Sequence, residues 1–235
     1  MFSSCKRLVA PLRFVCLFTL ALLFAPQAWS QARVDPNLPP EPLFHHRTFL
    51  IFPGYETVHP IEGRVPKITV GQKFEIAYRK TFDPSIVPQA AIFAAASQTG
   101  YYGPQYGPGA GPYLERFGYY AGNLAASNLF SDAVVPSVFH QDPRYFRKGR
   151  GSVAGRTWWA LRSEFVTESD RGNQTFNISK ALGYGMATAL SSAYSPGGPQ
   201  SPAGFSESYG IKFGVNFVAN LFREFGAPTT PPEEH

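Results

Sequence analysis

The sequence predicts an all-α fold: a compact bundle of about five to six helices with Gly/Ala-rich interfaces, preceded by a signal peptide and a Pro-rich extended segment. Three observations carry this expectation. Helix-capping residues stand in front of segments whose apolar positions recur every three or four residues. Along two segments glycine and alanine recur every fourth residue, a spacing that lets helix backbones approach closely. Apolar residues make up 44% of the 235-residue chain, enough to furnish a core without disulfides.

Residues 1–30 read as a secretory signal. Lys6, Arg7 and Arg13 lie in a stretch without acids, an apolar run extends from Phe14 to Phe24, and Ala28-Trp29-Ser30 places small residues where a signal peptidase cuts. Export to the periplasm or outer envelope is therefore expected. Cleavage after Ser30 would remove both cysteines, Cys5 and Cys16, and with them disulfide and thiol chemistry. In residues 31–68, Pro36, Pro39, Pro40, Pro42, Pro53, Pro60 and Pro66 withhold the backbone donors that a helix or central strand needs, so this segment is expected to be extended and loop-like.

The helical domain is expected over 69–226. Thr69-Val-Gly-Gln72 matches a capping box, with Phe74, Tyr78 and Phe82 at fours behind it. Asp83-Pro84 opens an alanine-rich helix from Ile86 to Ser97. Thr99 to Pro112 alternates Gly and Pro too often for a regular element. Four more helical stretches follow: Tyr113 to Phe139 with a break near Pro136, Val153 to Thr167 behind Ser152, Ile178 to Tyr194 behind Asn177, and Ala203 to Phe225 closed by Gly226. In the last, Tyr209 to Phe217 also alternates like a membrane-barrel strand, but Phe205, Tyr209, Phe213, Phe217, Leu221 and Phe225 continue at fours for too long. Residues 227–235 read as a disordered tail. Ala181, Gly185, Ala189 and Ala193, the parallel row Gly183, Ala187 and Ser191, and Gly118, Gly122 and Ala126 are the small-residue stripes; self-association through them is a second use they allow.

Charge locates the functional candidates. The whole chain carries 21 basic and 16 acidic residues; three of the basic ones lie in the signal, leaving 18 against 16, or +2, which gives no ground for nucleic-acid binding. The charge is nevertheless polarised. Between Asp142 and Glu164 there is no acid, while Arg144, Arg147, Lys148, Arg150, Arg156 and Arg162 are interleaved with aromatic rings. With Trp159 at their flank, these residues are the candidate contact to an anionic membrane or an acidic envelope polymer. On the helix from Val153, Ala154, Trp158, Leu161 and Phe165 share the face that should be core, with Trp159 about a hundred degrees round.

Catalytic signatures are weak. His140 and Asp142 are two residues apart, where a carboxylate could orient a histidine, but no nucleophile accompanies them and Asp-Pro is a turn starter. No metal-ligand spacing occurs, Gly149 to Ala154 meets GxGxxA without the preceding hydrophobic strand, and no catalytic or cofactor-binding residue is assigned. The sequons at Asn173 and Asn177 have a simpler reading in the second case, a helix cap.

Val138-Phe-His-Gln-Asp-Pro-Arg-Tyr-Phe-Arg147, Phe165-Val-Thr-Glu-Ser-Asp-Arg-Gly172, Phe176-Asn-Ile-Ser179 and Thr81-Phe-Asp-Pro84 make the chain resemble a family of exported bacterial proteins carrying an HQDPRYF motif, over most of 69–225. The resemblance implies export and brings no activity, cofactor or catalytic residue. The expected role is that of a helical envelope protein, structural or binding; the alternatives are an outer-membrane β-barrel or pore, and an envelope hydrolase using His140 and Asp142.

Overall fold

The computed structural model describes residues 33–35, 47–48, 52–54, 56–58, 64–98, 109–195 and 201–226. The expected signal peptide, the polyproline stretch from 36 to 42 and the tail from 227 lie outside them. Helix accounts for 70% of the described residues, so the all-α expectation holds. The helices are α1 Val70–Phe82, α2 Ile86–Gln98, α3 Ala110–Asn128, α4 Val135–Val138, α5 Val153–Arg162, α6 Ile178–Ala193 and α7 Pro202–Gly226.

The caps form where the sequence places them. Thr69 Oγ1 accepts from the Gln72 backbone and the Gln72 side chain accepts from the Thr69 backbone, closing the capping box. Ser152 caps α5 through Gly155 N and Asn177 caps α6 through Lys180 N. Each supplies an acceptor for an otherwise orphaned amide.

Three boundaries depart from expectation. α3 begins at Ala110, inside the Gly/Pro run, because glycine and proline are tolerated in a first turn whose amides lack helical partners anyway. The helix does not break at Pro136. It widens just before the ring into a π-helical segment, Leu129–Val134, in which Val135 N donates to Phe130 O five residues back. The wider turn absorbs the missing proline donor without ending the rod. The Pro136 carbonyl then receives Lys73 Nζ and Gln141 N. Finally, α5 stops at Arg162, not Thr167, since Val166–Glu168 (β7) pairs antiparallel with Gln174–Phe176 (β8).

The proline-rich leader is woven into the domain where it is described. Arg33–Asp35 (β1) pairs in parallel with Arg64–Pro66 (β5), Arg47–Thr48 (β2) antiparallel with Phe52–Pro53 (β3), and Thr57–Val58 (β4) in parallel with Tyr145–Phe146 (β6). Val58, Val65 and Phe146 form a buried cluster there.

One row of small residues on α6 is buried throughout, and the first half of the other is in contact, while Ala189 and Ala193 are exposed. Gly183, Ala187 and Ser191 are buried, and a Cβ on Gly183 would stand 2.6 Å from Ser131 Cα of the π segment. Ala181 and Gly185 instead receive the Tyr209 ring of α7: its hydroxyl donates to Ala181 O at 3.0 Å. The aromatic stripe of α7 is thus a ladder against α6, in which Tyr209 and Phe213 lie 5.2 Å apart and Phe213 and Tyr184 5.1 Å.

Burial is inverted relative to an ordinary core. Lys73, Glu164, Glu224, Asn220 and Thr188 are among the largest fully buried side chains, whereas Phe82 is 70% and Val153 71% exposed. On α1 the outer stripe is Val70, Phe74, Tyr78 and Phe82; on α6 it is Leu182, Met186, Leu190 and Tyr194 just beyond the helix; on α7 it includes Val218, Phe222 and Phe225. Single exposed apolar residues are normal; buried charges and apolar stripes several turns long are the informative features. No helix among the described residues is long and apolar enough to cross a membrane.

Candidate functional site

The segment from His140 to Arg150 is the hub on which the other elements are pinned. Gln141 Oε1 accepts from the backbone and hydroxyl of Ser179 at the start of α6, while its amide nitrogen donates to Thr175 and Phe176. Asp142 Oδ1 takes Arg144 N in an Asx turn, and its carboxylate also takes the Arg144 guanidinium, with Nη2 at 2.7 Å. Tyr145 N and Arg147 N reach Glu56 O and Val58 O across the β4–β6 pair.

This architecture separates His140 from Asp142. The histidine has a left-handed backbone with φ 52°, an 81% exposed side chain, and Nδ1 at 3.8 Å from Asp170. Asp142 is buried and occupied by Arg144. The geometry therefore offers no His-Asp pair of the kind that orients a general base.

The basic residues divide sharply. Arg144 and Arg147 are buried; Arg144 also donates to Pro66 O, and Arg147 to Glu224 O. Arg156 pairs with Glu224 at 2.9 Å and lies over the Phe225 ring. Arg162 donates to Gln174 and stacks near Trp159. Glu224, fully buried, is the acceptor at the centre, taking the Tyr145 hydroxyl and the backbone amides of Lys148 and Gly149 as well. Burial, followed by the nearby Glu224 charge, pushes the Tyr145 hydroxyl far above its ordinary pKa, so it stays a donor. Arg150 is exposed, Lys148 is half-buried, and the surface run continues through Val153 and Ala154.

The two tryptophans exchange their expected roles. Trp159 is half-buried and donates its indole N–H to Phe146 O at 2.7 Å, while Trp158 is 36% exposed. The reason is that α5 buries the face that meets β6 and α7, and Trp159 lies on it.

A small polar cleft, open to solvent, lies beside this hub. Its walls include Glu56, Asp132, Glu168, Arg162, Lys180 and Arg223, drawn from elements remote in sequence. Arg223 Nη2 meets Glu56 at 2.6 Å, and Lys80 bridges Asp132 at 2.6 Å and Glu56 at 3.1 Å. On the same wall, Asn216 and Asn220 each donate to Glu164 Oε1 at 2.7 Å, with Lys180 at 3.6 Å. Three acids, Glu56, Asp132 and Glu164, thus face three bases, Lys80, Lys180 and Arg223.

Their titration follows from burial. Burial pushes Glu56 up, but Arg223 and Lys80 outweigh it and hold the carboxyl below its ordinary value. Burial likewise opposes charge on Lys80, and Asp132 and Glu56 overcome it. Around Glu164 burial wins: Glu164 is raised and Lys180 lowered despite their mutual attraction. Glu168 is raised to about 7 by burial, then by Asp142, against the pull of Arg144 and Arg162. Perturbed titrating groups around one cleft mark a candidate binding site.

Of the wall charges Glu56, Asp132, Arg162, Glu168, Lys180 and Arg223, the sequence singles out Arg162 alone, and as a surface contact. The available signal was the polar row Asn216, Asn220, Arg223 at helical spacing in and just past the otherwise apolar stretch from Phe213 to Phe222, matched by lone charges such as Lys180 in a Gly/Ala-rich helix. Among the described residues no group of three or more His, Cys, Asp or Glu side chains is placed to hold a metal ion. Compared with protein-family models, curated proteins and solved structures, the chain matches none.

Proposed function

We propose that this chain is a membrane-associated structural or binding protein of the cell envelope, lying on an anionic lipid surface through the turn between β6 and α5. The observation that carries this is the tip of that turn: Arg150, Gly151, Ser152, Val153 and Ala154 are all exposed in succession, with Lys148 beside them and exposed Trp158 one turn on. Cations next to a protruding aliphatic side chain and an indole suit the headgroup boundary of an anionic bilayer. The buried charges and apolar outer stripes support the same reading, because lipid is the surroundings in which such a distribution lowers free energy. Of the basic run, Lys148 and Arg150 carry the contact; Arg144, Arg147, Arg156 and Arg162 hold the fold beneath it.

The full chain is expected to sediment with phosphatidylglycerol-containing vesicles at low salt and to be released by high salt. The double variant Lys148→Glu/Arg150→Glu is expected to lose this binding, and Val153→Asp/Trp158→Asp to weaken it, with unchanged circular dichroism. Equal sedimentation of the charge-reversed variant, or none of the wild type, refutes the proposal.

A further inference from the structure

The crest of the edge formed by α1 and α2 carries no charge. From Val70 to Ser97 every exposed residue is apolar or a tyrosine, and Val70, Phe74, Tyr78, Phe82, Val87 and Ile92 are 44% to 70% exposed. The two helices lie in series, antiparallel to the rod of α3, the π segment and α4. Lys73 Nζ reaches Pro136 O, Lys80 pairs with Asp132, Asn128 bonds Thr81, and the Phe93 ring stacks on Tyr120 at 5.7 Å. Ile76 and Ala77 of α1 and Ala90 and Ala94 of α2 are buried on the inner side, so the exposed apolar positions form one ridge along the outer side. An apolar patch of this extent marks an interaction surface.

We propose that this ridge pairs with the same ridge of a second copy, about a two-fold axis at the corner of residues 83–85. A two-fold contact brings a surface against itself, which a charged crest would resist and an uncharged one allows. The axis also lays α1 of each copy on α2 of the other. The crest of α1 is bulky, with Phe74, Tyr78 and Phe82, while that of α2 includes Pro88, Ala95 and Ala96, so ridge meets hollow. At about 200 Å² for an aromatic and about 130 Å² for an aliphatic side chain, the six large residues expose roughly 600 Å² per copy. The pair then covers about 1,200 Å², the lower bound of a specific interface.

The rim of the ridge favours protein over lipid. Glu75 and Arg79 flank the crest of α1, ion-paired at 2.6 Å, with side chains 42% and 32% exposed. Acyl chains would strip these charges of water, whereas a protein interface leaves its polar rim wet. The pairing uses no residue of the Lys148–Arg150 turn and is independent of the lipid contact there.

Sedimentation velocity of the full chain without lipid, from about 1 to 100 µM, tests this. A reversible monomer–dimer equilibrium is expected, since an interface of this area suits a dissociation constant in about the micromolar range. Phe74 and Ile92 each stand nine residues from Asp83, on opposite sides of the axis. Phe74→Lys and Ile92→Asp should therefore each remain monomeric with unchanged circular dichroism, and an equimolar mixture of the two should recover the dimer by joining the new charges. Lys148→Glu/Arg150→Glu should dimerise like the wild type, which keeps this outcome separate from that of the vesicle experiment. Should a variant fail to fold, Tyr78→Asp takes its place in the monomerisation test. A monomeric wild type at the highest concentration, unchanged association in the folded variants, or a mixture that stays monomeric each overturns the proposal. A monomeric wild type whose vesicle binding is lost in Ile92→Asp assigns the ridge to lipid instead.

Discussion

Replacing Gly183 by alanine probes the tightest helix crossing in the bundle. A Cβ there would lie 2.6 Å from Ser131 Cα, 2.7 Å from Ser131 N and 2.9 Å from the Phe130 carbonyl carbon. All three are backbone atoms, so no rotamer change relieves the clash. Reaching ordinary carbon contact of about 3.5–4.0 Å requires α6 and the π segment to part by about 1 Å. Overpacking of this kind costs about 1–3 kcal/mol. Alanine returns about 1 kcal/mol in a helix interior. The upper half of the penalty applies, because the same π segment holds Asp132 against Lys80 and cannot shift freely. The expected net loss is therefore about 1–2 kcal/mol, or a Tm lower by about 2–8 °C for a chain of this size. Gly118→Ala and Gly214→Ala supply the contrast: nothing lies within 4 Å of either new methyl, so each should stabilise, by about 0.4–1 kcal/mol. Urea unfolding followed by far-ultraviolet circular dichroism measures all three. If Gly183→Ala matches or exceeds the wild type in stability, the account of the α6 seam is wrong.

Further outcomes follow from the buried charges and caps. Glu224→Ala strands Arg156, the Tyr145 hydroxyl and two backbone amides, and should cost about 3–5 kcal/mol in chemical denaturation. Glu168, raised in the folded state to about 7 from 4.5, keeps a proton that the unfolded chain releases; stability should fall as pH rises from about 4.5 to 7, a slope that Glu168→Gln should flatten in a pH series of Tm measurements. Lys212, bonded to Asn123 and Ser127, is lowered by burial to about 8 from 10.5; between those values the unfolded chain binds more protons, so stability should rise with pH there, and Lys212→Met should abolish the rise. Asn177→Ala removes the acceptor for Lys180 N and should lower stability by about 1 kcal/mol in urea titrations.

The helices were legible because their signals are local. A capping box, an Asn cap or a four-residue apolar period acts within one or two turns, and α1, α6 and α7 fall within a residue or two of where Thr69, Asn177 and Gly226 place them. The small-residue rows were equally visible, since side-chain size alone decides how close two backbones come. Which side of each helix faces inward was harder to read. The interior is polar, so apolar periodicity marks the outer face of α1, and Trp158 and Trp159 take opposite places from those the usual rule assigns.

The sequence by itself determined that the chain is helical, where most of its rods begin and end, and that its cations concentrate between Arg144 and Arg162. Only the tertiary structure decided that most of those cations turn inward, because their partners, Asp142 apart, lie far along the chain: Pro66 behind Arg144, and Glu224 behind Arg147 and Arg156. The cleft is likewise a product of assembly. Glu56, Lys80, Asp132, Lys180 and Arg223 come from separate elements, and a buried charge tolerates its position only when packing delivers an opposite one within about 3 to 4 Å.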